Sequence, residues 1–191
     1  MRSAVLPRSF YRRPSTVVAP ELLNKVLVVG PCRGRIVEVE AYAGALDPAS
    51  HAYRGRTVGN ATMFGPPGHL YVYFTYGMHF CANAVTGEDG DAQAVLLRAL
   101  APTAGLEVMQ ARRPAARRAA DLTSGPAKLC QALGIGREQD GSDLVRGRGP
   151  RIVDDGVLPP RRPGVGRRVG ITRAVERPWR WYVPDDPNLS R

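Results

Sequence analysis

From Arg33 to Tyr42 the chain alternates, with Val37, Val39 and Ala41 at one set of positions and Glu38, Glu40 and Tyr42 at the other. A period of two places these sets on opposite faces of a strand. Lys25 to Val29 is a second strand-like run, separated from the first by a Gly30-Pro31 turn. His69 to Val85 is apolar and aromatic and breaks near Gly77, which predicts two strands or one bent strand. Val95 to Leu100, Arg151 to Val153, Arg168 to Thr172 and Trp179 to Val183 predict further strands.

Helical signals are shorter. Pro20-Glu21-Leu22-Leu23 starts with a proline and an acid, as first turns do. Thr103 to Arg113 has helical spacing, with Leu106 and Met109 on one face. Ser124-Gly125-Pro126 opens a helix that Gly134 closes. The stretch 112–123 is basic and alanine-rich and carries no clear pattern. Residues 43–69 are rich in Gly, Pro, Asp and Asn and predict a long ordered loop, of the kind that is usually functional. Residues 1–19 read as an irregular basic arm. Strands interspersed with short helices predict an α+β fold with a curved antiparallel sheet, in one domain spanning 1–191.

Charge narrows the partners. The 191 residues carry a net charge of +10, of which +8 falls in residues 111–191. A polyanion is the expected partner, because each neutralised phosphate releases counterions. Cys32, Cys81 and Cys130 are far apart and odd in number, which argues against a disulfide framework or a cysteine zinc site and fits a reducing cytosol. No run approaches the roughly 18 apolar residues of a membrane span, and the N-terminus has basic residues without a signal peptide's apolar core.

The chemistry-bearing positions cluster in the first hundred residues. Glu38, Glu40 and Tyr42 share a strand face, which borders either water or a pocket. A carboxylate beside apolar and aromatic groups has its pKa raised and can act as a general base. His51 sits in the long loop; with Glu40 and Asp47 it could ligate a metal, although no HxH or HExxH spacing is present. Tyr71, Tyr73 and Thr75 alternate with Val72, Phe74 and Tyr76, and Tyr76 stands beside Gly77 where a ring can project. Aromatic faces, a basic surface and a nearby carboxylate are the parts of a base-binding pocket. Two other readings stay open on these grounds: a metal-dependent nuclease using Glu38, Glu40 and Asp47, and a non-enzymatic nucleic-acid-binding module.

The order of motifs resembles the mammalian-type 3-methyladenine (alkyladenine) DNA glycosylases over nearly the whole chain. The likeness is carried by Arg35 to Tyr42 with Asp47, Ala49-Ser50-His51 and Gly55-Arg56-Thr57, and by Met63-Phe64-Gly65 and Leu70 to Asn83. Val95 to Ala99, Gly125-Pro126 with Lys128 to Leu133, Arg168 to Ile171 and Pro178-Trp179-Arg180 complete it. The resemblance implies that Glu40 activates the attacking water and that Arg98 helps hold that water and the flipped nucleotide. Tyr42, His51 and Tyr73 would wall the base pocket, Asn83 would disfavour the guanine 2-amino group, and Tyr76 would enter the duplex where the base had been. It further implies a hairpin that reaches into the minor groove, damaged double-stranded DNA as partner, no metal or other cofactor, and a monomer in the cytoplasm with the nucleoid. Lys25 and Lys128 are the two lysines, so a Schiff-base lyase step has few candidate amines. One departure stands out: Gly59 precedes Asn60 where the family usually has Arg, which removes an expected phosphate contact.

Overall fold

The computed structural model describes residues 3–75 and 77–190. Its strands are β1 (Ala4–Val5), β2 (Val26–Val29), β3 (Cys32–Ala43), β4 (Leu70–Thr75), β5 (His79–Thr86), β6 (Gln93–Ala104), β7 (Arg151–Asp154), β8 (Gly164–Gly166) and β9 (Arg180–Tyr182). Helices α1 (Arg8–Tyr11), α2 (Ser15–Leu22), α3 (Leu106–Arg112) and α4 (Pro126–Leu133) are all short. The strands form one antiparallel sheet, curled as a half-barrel, in the order β1-β7-β2-β3-β6-β5-β4, with β9 on β3 and β8 on β9. This is the mixed α+β architecture expected from the pattern.

Period two divides the sheet into a packed face and a face that carries a cavity. Leu70 and Val72 of β4, Ala82 and Ala84 of β5, and Val95 and Leu97 of β6 belong to the main core, with Val18 and Leu22 of α2 and Leu129 and Leu133 of α4. Each such valine or leucine side chain stabilises the fold by about 1.5–3 kcal/mol when buried. The intervening positions, Tyr71 and Tyr73, Cys81 and Asn83, and Leu96 and Arg98, line the cavity instead.

β3 is central because it is long enough to pair twice. One edge runs along β6, while the other pairs with β2 at its start and with β9 over Glu38 to Glu40. The β3–β6 register shifts between Ile36 and Glu38 and again between Glu38 and Val39, leaving Val37 and Arg98 without a partner residue across the ladder. Such bulges re-aim side chains. Here Arg98 reaches both Glu38 and Glu40.

Four expectations are corrected. Pro20 does not start a helix but lies in the last turn of α2, which begins at Ser15. Residues 3–19, the described part of the expected arm, are not irregular. They hold β1, α1 and most of α2, with Tyr11, Val18 and Ala19 wholly buried, and Pro7 and Pro14 stand at the helix starts. Arg168 to Thr172 is not a strand: Gly170 turns at φ +74° and the Arg168 side chain is buried, while the strand of this region is β8. The helix expected from Thr103 starts at Leu106, because β6 continues to Ala104. Gly105 then turns at φ +75°, where a Cβ would meet the Pro31 carbonyl at 2.8 Å.

Candidate active site

The cavity has a volume of about 460 Å³, within the usual range for small-ligand sites of roughly 300–1,000 Å³. Three strands supply its walls through alternate residues: Tyr71, Tyr73 and Thr75 from β4, Cys81 and Asn83 from β5, and Ala94, Leu96 and Arg98 from β6. Tyr42, at the far end of β3, closes one side. His51 and Met63 come from the long loop, and Val169 to Arg173 form a further side. Among the described residues no Asp or Glu lines the cavity.

Among the described residues four aromatic rings line it, those of Tyr42, His51, Tyr71 and Tyr73. Tyr71 and Tyr73 stack at 5.6 Å between centroids with an interplanar angle of 29°, and His51 meets Tyr73 edge-on at 4.4 Å. The His51 Nδ1 lies 3.1 Å from the Tyr71 hydroxyl. Desolvation by these neighbours lowers the His51 pKa, which favours the neutral ring. Burial raises the pKa of Tyr42 and Tyr73 well above the ordinary tyrosine value, so both hydroxyls remain protonated.

The strand face bearing Glu38 and Glu40 is neither solvated nor open. Both carboxylates are 0% exposed. Glu38 is saturated by Arg98 Nε and Arg180 Nη1, each at 3.0 Å on Oε1, by the Ser190 hydroxyl at 2.8 Å on the same oxygen, and by the Ser190 N–H at 2.7 Å on Oε2. Burial alone would raise its pKa, but the Ser190 hydrogen bonds and the Arg98 charge outweigh burial and hold it below the usual carboxylate value. Glu40 differs. Its Oε1 accepts the Val169 N–H at 2.7 Å and contacts Arg98 at 3.2 Å, and its Oε2 accepts the Tyr42 hydroxyl at 2.8 Å. Burial dominates there and raises the pKa despite Arg98, Val169 and Tyr42. An ionised carboxylate offers about four acceptor positions, so Glu40 retains one. It does not itself line the cavity; Tyr42, Arg98 and Val169, which surround it, do.

A buried ion pair braces this arrangement. Arg168 binds Asp47 through both nitrogens, with Nη2 to Oδ1 at 2.9 Å, donates to the Ala41 carbonyl, and lies 4.7 Å from the Tyr42 ring centroid. The pair fixes the Tyr42 ring and the turn that brings the Val169 N–H to Glu40.

The residues picked out by sequence therefore converge: Glu40, Tyr42, His51, Tyr73, Asn83 and Arg98 lie in or against one cavity. Tyr76 lies outside the described residues. Asn83 lines the cavity and donates its amide to the Tyr71 carbonyl at 3.1 Å. Asn60 is turned inward, where it binds the carbonyls of His51 and Gly55 and the Thr57 N–H. The three carboxylates of the nuclease reading are held by arginines, and no group of three His, Cys, Asp or Glu among the described residues is arranged to hold a metal ion. Sequence reasoning did not assign Tyr71, Val169 or the Asp47–Arg168 pair to the site. Tyr71 shares a strand face with Tyr73 and was within reach of periodicity; the other two depend on contacts more than a hundred residues apart.

A curled sheet with a cavity that carries the Tyr42, His51, Tyr71 and Tyr73 rings beside a buried carboxylate of raised pKa defines a pocket for a planar, ring-bearing ligand with an acid–base group against its wall. The sequence profile of the methylpurine-DNA glycosylase family matches residues 9–187. Relatives bearing the provisional name 3-methyladenine DNA glycosylase include one from Burkholderia lata, 59% identical over 98% of this chain and 91% of its own. Another from Streptomyces avermitilis is 47% identical over 97% of this chain and 90% of its own. A third from Carboxydothermus hydrogenoformans is 44% identical over 98% and 99%. The chain belongs to the methylpurine-DNA glycosylase family.

Proposed function

We propose that this protein is a DNA-repair glycosylase that accepts a flipped, alkylated or deaminated purine and hydrolyses its N-glycosidic bond, leaving an abasic site. The observation that carries this reading is the buried Glu40, held by Arg98, Tyr42 and Val169 against a cavity of about 460 Å³ that the Tyr42, His51, Tyr71 and Tyr73 rings line.

The base lies among Tyr42, His51 and Tyr73, whose faces and edges suit a planar ring. Asn83, anchored by its bond to Tyr71, borders the position where a guanine 2-amino group would come. A water approaching between Tyr42 and Arg98 gives a proton to the remaining acceptor position of Glu40 as its oxygen bonds to C1′ of the sugar. The C1′–N bond breaks and its electron pair leaves with the purine. Arg98 keeps Glu40 oriented and offsets its charge. The Tyr42 hydroxyl, which stays protonated, orients the other oxygen. Lys25 is paired with Asp154, and neither lysine lines the cavity, which supports water rather than an amine as the nucleophile. The β4–β5 hairpin, with Phe74 and Met78 exposed at its tip, is the element that would enter the minor groove. Tyr76 would then fill the vacated stack.

The test is excision of labelled bases from duplexes bearing 3-methyladenine, 7-methylguanine, hypoxanthine or ethenoadenine, in excess chelator. Release of a base with an intact abasic strand is expected. Glu40→Gln should lower single-turnover excision by about 10²–10⁴-fold, as removal of a general base does, while lesion binding persists. Chelator-sensitive strand scission, or normal excision by the variant, would sink the reading.

A further inference from the structure

A second, smaller concavity of about 220 Å³ adjoins the main cavity and shares Pro48, His51 and Arg173 with it. Ser50, Tyr53 and Arg54 complete its lining. Arg54 comes from the long loop and Arg173 from the turn after Arg168, so two segments far apart in sequence each bring an arginine to one depression. Both residues are exposed. Among the described residues neither makes a hydrogen bond or an ion pair, whereas Arg98, Arg168, Arg177 and Arg180 around the main cavity are all committed to carboxylates. Among the described residues no acidic side chain lines this depression. Two like charges gathered without a counter-ion repel each other, and an anion seated between them relieves that cost. Arginine suits phosphate oxygens in particular, because its planar fork donates two parallel hydrogen bonds.

The depression lies at the rim of the cavity that takes the base, so the anion it meets is tied to that base by the backbone. We propose that Arg54 and Arg173 form a clamp for one phosphodiester of the lesion-bearing strand, immediately beside the flipped nucleotide. The inference rests on the glycosylase reading for the direction from which DNA arrives. It also supplies a phosphate contact in a chain that has Gly59 where the family usually has Arg. Gly59 is exposed, and a Cβ there would have the Thr57 hydroxyl at 4.0 Å as its nearest neighbour among the described residues. The clamp therefore belongs to the same loop as the missing contact, five residues earlier, with a second arm from the C-terminal half. Tyr53, also exposed, stands beside Arg54 and can donate its hydroxyl to the same phosphate.

Binding to a short duplex with one stable abasic analogue, which the enzyme cannot cleave, is measured against salt for the wild type, Arg54→Gln, Arg173→Gln and the double variant. Each lost phosphate contact should flatten the log–log slope by about 0.9. A clamp on one shared phosphate should flatten it by about that amount in the double variant, not twice it. Replacing single phosphates near the lesion by neutral methylphosphonates should weaken wild-type binding at one position and leave the double variant indifferent there. Equal sensitivity of both proteins at every position, or an unchanged slope, overturns the clamp. A slower excision in Arg173→Gln with an unchanged slope would make Arg173 a cavity wall and also overturn it. Because binding is read without cleavage, a wild type that binds this duplex yet excises no lesion would remove the glycosylase reading while the slope still decides the clamp.

Discussion

Glu38 and Glu40 stand two residues apart on β3, both wholly buried and both touching Arg98, yet their surroundings push them in opposite directions. Glu38 is held below the usual carboxylate pKa and Glu40 above it. A group with a depressed folded pKa stabilises the fold above its unfolded value and loses that contribution as pH falls through the folded one. Glu38→Gln should therefore lower stability by about 3 kcal/mol at neutral pH, as breaking a buried pair does, and the deficit should shrink in acid. A group with a raised pKa does the reverse: its contribution is complete below the unfolded value and is lost as pH rises through the folded one. Ionised Glu40 thus opposes folding at neutral pH. Glu40→Gln keeps a carbonyl for Val169 and Arg98 and leaves Arg98 its partner Glu38. Its Tm should equal or exceed that of the wild type at neutral pH, with the gain fading in acid. Melting curves of both variants against pH check this; a Glu40→Gln protein as unstable as Glu38→Gln would make Glu40 a structural carboxylate. Wild-type excision should also rise with pH to a midpoint above the ordinary glutamate value.

At the level of elements, the long loop does the most unusual work. It carries Asp47, His51 and Asn60 and has only short 3-10 turns of its own. Asn60 holds it together through three hydrogen bonds to backbone within the loop, at 2.6, 2.9 and 3.0 Å. Its side chain is buried and serves the loop. Asn60→Ala leaves backbone groups near His51 unpaired, at about 1–3 kcal/mol for each buried group. Amide exchange should quicken across 51–60, and excision should fall more than global stability does. Uniform exchange and normal excision would show that the loop is held elsewhere. Strands were legible in the sequence where alternation met burial: Arg33 to Tyr42, His69 to Val85 and Trp179 to Val183 all hold strands. Arg168 to Thr172 alternates too, yet a side chain drawn inward to Asp47 and an N–H given to Glu40 take this backbone out of any ladder. Periodicity cannot register a contact made across such a separation. The same limit hid how Glu40 is held, although the residue itself stood out.

Across the whole molecule, net charge pointed toward DNA but misled about the N-terminus, where Arg2, Arg8, Arg12 and Arg13 suggested a loose basic arm. The arginines there are largely internal ties: Arg8 binds Asp143 at 2.6 Å and the Pro67 carbonyl at 2.7 Å, and Arg13 binds Glu21 through both nitrogens. The Gly87 N–H reaches the carbonyls of Tyr11 and Arg13, and the Ser15 N–H reaches Gln93. This segment therefore joins the end of the β5–β6 hairpin to the loop around Asp143. A disordered arm and a packed segment predict different things on deletion. Removing an arm that only meets phosphates would leave Tm unchanged and flatten the salt dependence of DNA binding. Removing residues 1–13 from a packed segment strips Tyr11 from the core, and truncating one buried aromatic alone costs about 3–5 kcal/mol. Tyr11→Ala is the milder probe, because it keeps every arginine. It should lower stability by that amount in denaturant titration while leaving the salt slope of DNA binding as it was. A variant as stable as the wild type, with weaker and less salt-dependent binding after deletion, would return the segment to the role of an arm.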